Sequence, residues 1–432
     1  MTSASDAPTP GGKLDSPRPI TALVLAGGGA RGAYEAGALS VVLPDLDRRG
    51  QRPSLFVGTS VGAINATLLA ATQHLPVEEQ TANMLELWMS LRRGDIMRPI
   101  LTRSGPVDIL RFAGQLLSIP GLRLNSLLDP SPLWSNFPRW IDMPAVHRNI
   151  DDGRVAALAV VTTSARSGRT VVFLDSASPP RLHRSHAIAY VPTRLDLHHV
   201  GASAAIPLLW PAVKIETPVR ARGWYVDGGT RLNAPIKPAL DLGGDQLVVV
   251  AVDSIAGPVM EPEPERDDVP PPDLGDAALH LLEGALVDPL IEDMRTLGNI
   301  NAFFAHGDPG ARLFRTIRGK GEYRQIPYIF VGPQQKGAIG ELAARVFAER
   351  YGGLKQLRSP DVFLLNELVG GATQNHAELL SLLLFEPAFA AALIELGQRD
   401  ARAWLRDEHD AEGPWQLGPL GHFLGPRSWT AG

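Results

Sequence analysis

Three glycine-flanked clusters hold the residues of this sequence that can do chemistry: Gly27-Gly28-Gly29-Ala30-Arg31-Gly32, Gly58-Thr59-Ser60-Val61-Gly62 and, far downstream, Asp227-Gly228-Gly229. A serine hydroxyl becomes a nucleophile when a base takes its proton, a carboxylate can be that base, and consecutive glycine amides can converge on a negative oxygen. Together these are the parts of an acyl-transfer hydrolase. No one of them carries that reading alone.

The middle cluster fits G-x-S-x-G, with an apolar run over 54–57 before it and a small-residue helical segment after it. That context puts Ser60 on a sharp strand-to-helix turn. Gly58 and Gly62 let neighbouring backbone approach, and the unpaired amides at the helix start favour a developing negative charge. Read by itself, the same string is equally a helix cap supplied by Thr59 or Ser60.

The first cluster also matches the G-x-G-x-x-G of dinucleotide-binding folds through Gly27, Gly29 and Gly32. Such folds hold the ribose with an acidic residue about 20 positions on, at the end of the next strand. Here that strand ends Val57-Gly58-Thr59-Ser60, and Asp45 and Asp47 fall too early. An oxyanion loop is the more coherent reading, with Gly27, Gly28, Gly29 and Ala30 offering amides to one point; such a donor is worth about 3 kcal/mol at a developing oxyanion. Arg31 either reads an anionic head group or ties the loop to a carboxylate or carbonyl oxygens. The need to hold a glycine turn rigid favours the second.

Serine hydrolases commonly pass the hydroxyl proton to histidine. Of the 11 histidines, His183, His186, His198 and His199 included, none lies in a glycine-rich turn after a clear strand; paired surface histidines are ordinarily polar cover. Asp227 follows Trp224-Tyr225-Val226 and precedes two glycines, which puts a carboxylate in a tight turn at a strand end. An unperturbed Asp titrates near about 4, so a direct Ser60–Asp227 pair requires proton transfer concerted with attack in a partly dry site. Locally, Asp-Gly is also an ordinary β-turn.

Positioning these clusters takes strands and helices in alternation. Residues 21–26 read as a strand ending in glycines and a helix begins at Ala33; 54–57 read as a second strand ended by Gly58, followed by a helix. Two strand-turn-helix units with long crossovers imply a mainly parallel sheet covered by helices. Further on, 77–92 carries Met84, Leu85, Trp88 and Leu91 at helical spacing, and 107–117 is amphipathic. Strands are expected over 155–163, 170–175, 223–226, 246–252 and 328–331, with Arg166-Ser167-Gly168 in a turn. Gly201 to Pro207 reads as a small-residue helix stopped by proline, and 278–304, 338–350 and 376–405 read as helices.

The chain is long enough, at 432 residues, for one large elaborated domain, and 44% apolar residues suffice for a core. Its formal charge of -5 provides no global attraction for nucleic acid or an anionic membrane. Cysteine is absent, which excludes disulfides, thiolate metal sites and a cysteine nucleophile. Residues 1–18 read as a flexible tail rather than a signal peptide or anchor. Residues 261–276 are proline-rich and acidic, the mark of a solvated loop. No apolar stretch reaches the roughly 18 residues of a spanning helix; the most apolar one, 379–396, is broken by Glu386, Pro387 and Glu395 and reads as a pair of core or groove-lining helices.

Taken together, the clusters resemble the patatin-like phospholipase family. Its G-G-G-x-R-G motif stands at Gly27 to Gly32, its G-x-S-x-G at Gly58 to Gly62 and its D-G-G/A at Asp227 to Gly229. Ala202-Ser203-Ala204-Ala205-Ile206-Pro207, with Pro211, is similar to the family's A-S-x-A-x-P segment, and Asn233 and Pro235 match the N-x-P that follows the aspartate. The likeness covers roughly 19–252. It implies a three-layer α/β/α sandwich with a mainly parallel central sheet and additional C-terminal helices, a Ser60–Asp227 dyad, and supporting roles for Arg31, Gly32, Gly58, Gly62, Gly228 and Gly229.

The resemblance further implies hydrolysis of a phospholipid or other fatty-acyl ester with no metal or cofactor. Transient membrane-surface contact and a cytoplasmic location are the accompanying expectations. Leu208, Leu209, Trp210 and the apolar residues from Met84 to Leu117 are candidates for an acyl groove, and equally for core. A catalytic domain over 19–335, with 256–276 as its acidic loop, and a helical portion over 336–432 packed on it are the expected divisions. A lipid-binding protein without turnover and a nucleotide-dependent oxidoreductase are the rival classes.

Overall fold

A computed structural model describes residues 19–99, 128–178, 187–254, 325–351 and 374–420, together with 294, 297–299 and 301. The expected tail, the helix over 107–117, the acidic loop, His183, His186 and most of the helix over 278–304 lie outside the described residues.

Among those residues, nine strands form one mixed sheet. Its parallel half is built from β1 (Thr21–Leu25), β2 (Leu55–Thr59), β10 (Gln246–Val250) and β11 (Tyr328–Val331), every residue of which is buried. Near-continuous apolar strands of this kind need cover on both faces. The short ladder of β3 (Arg98–Pro99) with β4 (Leu128–Asp129) stands apart from the sheet. The other half holds β5 (Ala157–Ser164), β6 (Thr170–Asp175), β7 (Ile188–Pro192), β8 (Val213–Ile215) and β9 (Gly223–Asp227). The order β11-β10-β1-β2-β5-β6-β7 is parallel except at the β5–β6 pairing, and β9 runs antiparallel to both β5 and β8.

Alternation along β1 divides the core into two layers, Leu23 and Leu25 facing one and Ala22 and Val24 the other. The larger layer lies under α1 (Gly32–Arg48), α2 (Val61–Ala71) and α3 (Val77–Ser90), with the short α4 (Arg93–Ile96), α5 (Ser131–Trp140), α6 (Met143–Asp151) and α7 (Leu197–Ser203) beside them. The opposite face is covered by α8 (Ile236–Asp241), with Met294 and Leu297. Then α9 (Ala338–Tyr351), α10 (Gln374–Leu383) and α11 (Pro387–Arg406) return to the first face. This is a three-layer α/β fold with added C-terminal helices.

Two boundaries differ from the sequence expectation. Gly58 and Thr59 continue β2 instead of ending it, because both pair with β5. Helix α7 ends at Ser203, four residues before Pro207; the small residues that follow are backbone turns and not helix. The helical segment over 376–405 is two helices bent by 106°, broken at Glu386 and Pro387 as the sequence predicts, with Pro387, which lacks an amide hydrogen, starting α11. Among the described residues no single helix is long and apolar enough to cross a membrane.

Helix α11 crosses α1 at a point where each contributes a glycine. A Cβ on Gly397 would overlap the Tyr34 carbonyl oxygen, and one on Gly37 the Ile394 carbonyl oxygen. Tyr34 also donates its hydroxyl to Asp400 Oδ2 across the same contact, at 3.0 Å. Gly397→Ala is therefore expected to lower the urea midpoint by an amount equivalent to about 1–3 kcal/mol. Gly94→Ala, where a Cβ meets nothing within 4 Å, should show no such loss in the same titration.

Candidate active site

Strand β5 brings Ser60 and Asp227 together. One edge of β5 pairs with β6; along the other, β2 runs parallel as far as Thr59 opposite Val161, and β9 arrives antiparallel and ends with Asp227 opposite Thr162. Two chain segments thus meet head to head at consecutive positions of a third strand. The residue after Thr59 and the last residue of β9 have nowhere to go but the same spot.

Ser60 leaves β2 with φ 54 and ψ −126, a conformation that costs a non-glycine residue roughly 1–3 kcal/mol. The turn is tight enough that a Cβ on Gly58 would overlap the Gly62 carbonyl, and one on Gly62 the Leu25 carbonyl. The strained peptide is held from across the chain: the Ser60 amide donates to Ser203 Oγ at 2.8 Å, and that hydroxyl donates to the Val161 carbonyl at 2.6 Å. Thr59 Oγ1 donates to the Leu232 carbonyl at 3.0 Å. Ser60 neither caps α2 with its side chain nor uses its amide for an oxyanion.

Asp227 is buried at the other side of the meeting point. Its Oδ1 accepts the Gly229 amide at 2.7 Å, and its own amide donates to the Ala205 carbonyl. Burial pushes the carboxyl up to about 7, against the opposing pull of the Ser60 hydroxyl and the Gly229 amide. The serine is close enough to act on the carboxyl, yet Oδ2 makes no hydrogen bond of ordinary geometry among the described residues. A buried carboxylate oxygen without a donor is an unstable partner for charge and a good one for a proton.

The glycine loop borders the same spot. Gly27 is not an oxyanion donor, contrary to expectation: its amide donates to Asn233 Oδ1 at 2.9 Å. Asn233 follows Asp227 by six residues, so the segment leaving the aspartate folds back to pin the loop. The amides of Gly28, Gly29 and Ala30 have no acceptor among the described residues. Gly29, at φ 55, lies so close to α10 that a Cβ would overlap the Leu382 carbonyl oxygen. Arg31, buried, donates to Asp253, Glu378 and Ser381.

Ser60 and Gly29 open onto an apolar pocket of about 630 Å³, its open mouth included. Val61, Ile64 and Leu68 of α2, Leu87 and Trp88 of α3, Phe137 and Trp140 of α5, Ile206, Trp210 and Phe385 line it. Of the groove candidates Leu87, Trp88, Leu91, Ile96 and Trp210 line the wall, whereas Leu208 is 61% exposed and is not part of it. Beneath the pocket, Trp88 Nε1 donates to Asn65 Oδ1 at 3.0 Å and Asn65 Nδ2 to Glu35 Oε2 at 2.8 Å. Burial pushes Glu35 well above the ordinary carboxylate range.

The histidines divide. His198 is exposed, but His199 is fully buried rather than polar cover, donating Nε2–H to the Thr217 carbonyl at 3.0 Å. Neither reaches Ser60. Among the described residues no cluster of His, Asp and Glu is arranged to hold a metal. Ser203 and Asn233 are the site residues that sequence reasoning left without a role, although both stand in recognisable motifs. Phe385 falls in the 379–396 segment expected to be core or groove-lining, and it lines the pocket.

A hydroxyl on a strained strand-to-helix turn, a buried carboxyl and a glycine loop thus stand together beside an apolar pocket. The sequence matches the patatin-like phospholipase family over residues 23–240, just over half the chain, and the chain belongs to that family of lipid acyl hydrolases. No curated protein matches it. Among solved structures, VipD from Legionella pneumophila is 12% identical, with 89% of this chain and 68% of that one covered at a TM-score of 0.30. The ExoU–SpcU complex from the type III secretion system of Pseudomonas aeruginosa is 18% identical, with 84% and 74% covered at 0.25. Both likenesses are loose, and the assignment rests on the family match.

Burial of Asp227 makes stability depend on pH in a definite direction. With a carboxyl pKa near 7 folded and an ordinary 3.8 unfolded, the native state holds the proton more tightly between those values, so stability falls as pH rises through that window. Asp227→Asn removes this titrating group. Relative to wild type, the variant should gain roughly 4 kcal/mol between pH 4 and pH 8 in urea unfolding; an unchanged difference would mean the carboxyl is not held neutral.

Proposed function

We propose that this chain hydrolyses fatty-acyl esters of phospholipids or related lipids, as a phospholipase A or lipid acyl hydrolase, through an acyl-enzyme on Ser60. Ser60 Oγ attacks the ester carbonyl while Asp227 Oδ2 takes its proton. The amides of Gly28, Gly29 and Ala30 receive the oxyanion. Collapse of the tetrahedral intermediate breaks the ester C–O bond, and Asp227 returns the proton to the leaving lysolipid alcohol. Water then attacks the acyl-enzyme with Asp227 again as base, releasing the fatty acid and restoring the serine.

One observation carries this reading: β2 and β9 end against consecutive residues of β5, which puts the Ser60 hydroxyl within reach of the Asp227 carboxyl, and Ser60 lines an apolar pocket. Burial narrows the gap in proton affinity between the two groups by raising that of the carboxyl. The pocket walls, aromatic and aliphatic, suit an acyl chain. Ser203 supports the strained peptide, and the apolar surroundings exclude competing water. A phospholipid substrate brings transient contact with a membrane surface.

Ser60→Ala is expected to abolish release of fatty acid from phosphatidylcholine vesicles and from p-nitrophenyl decanoate, with folding retained by circular dichroism. Full activity in that variant would refute the mechanism. The base must be ionised to work, so kcat/KM should rise with pH to a plateau with an apparent pKa near 7. A profile flat between pH 5 and 8 would exclude Asp227 from proton transfer. Ser203→Ala should lower kcat by about tenfold with KM little changed, since it frees the Ser60 amide and leaves the Val161 carbonyl without its donor.

A further inference from the structure

The family match ends at residue 240, yet the glycine loop is held by residues well beyond it. Arg31 Nε donates to Ser381 Oγ at 2.7 Å, Nη1 to Asp253 Oδ1 at 2.7 Å, and Nη2 to both the Glu378 carbonyl at 2.8 Å and Glu378 Oε2 at 2.6 Å. Ser381 in turn donates to the Glu378 carbonyl at 2.6 Å. Two of these partners are in α10, almost 350 residues along the chain, and Asp253 follows the end of β10.

A guanidinium keeps its charge at any ordinary pH, so a buried one takes up whatever position lets carboxylates and carbonyls satisfy it. Here that position is next to Gly29, whose left-handed backbone is itself pressed against the Leu382 carbonyl. Neither contact alone fixes a run of glycines. Together, a charged anchor and a steric stop, both supplied by α10, leave the loop one arrangement. Three residues beyond Leu382, Phe385 forms part of the pocket wall with Ser60 and Gly29.

We propose that Glu378 is a positioning residue for ester hydrolysis. Acting through Arg31, it holds the amides of Gly28, Gly29 and Ala30 where the oxyanion forms, and the C-terminal helices are thereby part of the catalytic unit instead of an accessory to it. Glu378 is the pivotal member because it binds Nη2 twice, by main chain and side chain, and accepts from Ser381 as well. The inference rests on the acyl-enzyme reading above and adds to it the part of the chain that sets the oxyanion geometry.

The test is steady-state hydrolysis of p-nitrophenyl decanoate, with rates expressed per active site titrated by a fluorophosphonate that labels Ser60. Glu378→Ala should lower kcat per titrated site by about tenfold or more with KM within about twofold, and Glu378→Gln, which keeps an acceptor for Nη2, should recover most of that loss. A merely structural role would lower the unfolding midpoint and the number of titrated sites but leave kcat per site unchanged, and that result overturns the proposal. Should Glu378→Ala fail to fold, Ser381→Ala reads the same contact through Arg31 Nε: a fall of about threefold or more in kcat per site supports the proposal and an unchanged value overturns it. Wild type without turnover removes this inference and the acyl-enzyme reading together. Turnover that is lost in Ser60→Ala but unaffected by both α10 variants removes this one alone.

Discussion

Everything at the site depends on β5 being longer than the strand β2 beside it. Strand β5 has eight residues and β2 only five, so the edge that β2 vacates at Thr59 is open for another partner. β9 fills it from the opposite direction. A backbone edge carries donors and acceptors that must be paired, and pairing them with an incoming antiparallel strand places its last residue against the first residue past β2. The serine and the aspartate are neighbours because two ladders of backbone hydrogen bonds end at the same place.

Burial then sets the chemistry of what the ladders bring together. Burial takes the Asp227 carboxyl out of water, and the Gly229 amide and Ser60 hydroxyl only partly offset this, so its proton affinity rises. Glu35 lies deeper still, with Asn65 as a donor to one oxygen and none to the other among the described residues, and its carboxyl is likewise pushed up. Arg31 is the opposite case. Its charge persists, and the structure surrounds it with two carboxylates, a carbonyl and a hydroxyl. Dry surroundings make both acids hold their protons more tightly, while the fixed cation gives the loop an anchor that cannot titrate away.

Much of this was legible along the chain. The buried strands announced themselves as apolar runs, and Thr170–Asp175 and Tyr328–Val331 fall where those runs predict them. The three glycine-flanked clusters lie at strand ends, where tight turns demand small residues. The misreadings share a cause. Gly58 looks like a strand terminator because isolated glycine usually is one, but pairing with β5 overrides that local preference. His199 looks like polar cover because its burial comes from packing against Phe173 at 4.7 Å, a contact no local pattern encodes.

What the amino-acid order determined by itself is therefore the set of local devices: buried strands, sharp turns, a hydroxyl on one turn and a carboxyl on another. These are consequences of short-range sterics and periodicity, which neighbouring residues settle among themselves. The tertiary structure alone decided that the Gly27 amide goes to Asn233, 206 residues away, that the Ser60 amide goes to Ser203, 143 residues away, and that Arg31 is met by Glu378, 347 residues away. Such partners are chosen by which elements the sheet order brings side by side, and a hydrogen bond across that distance leaves no mark on the residues around either end.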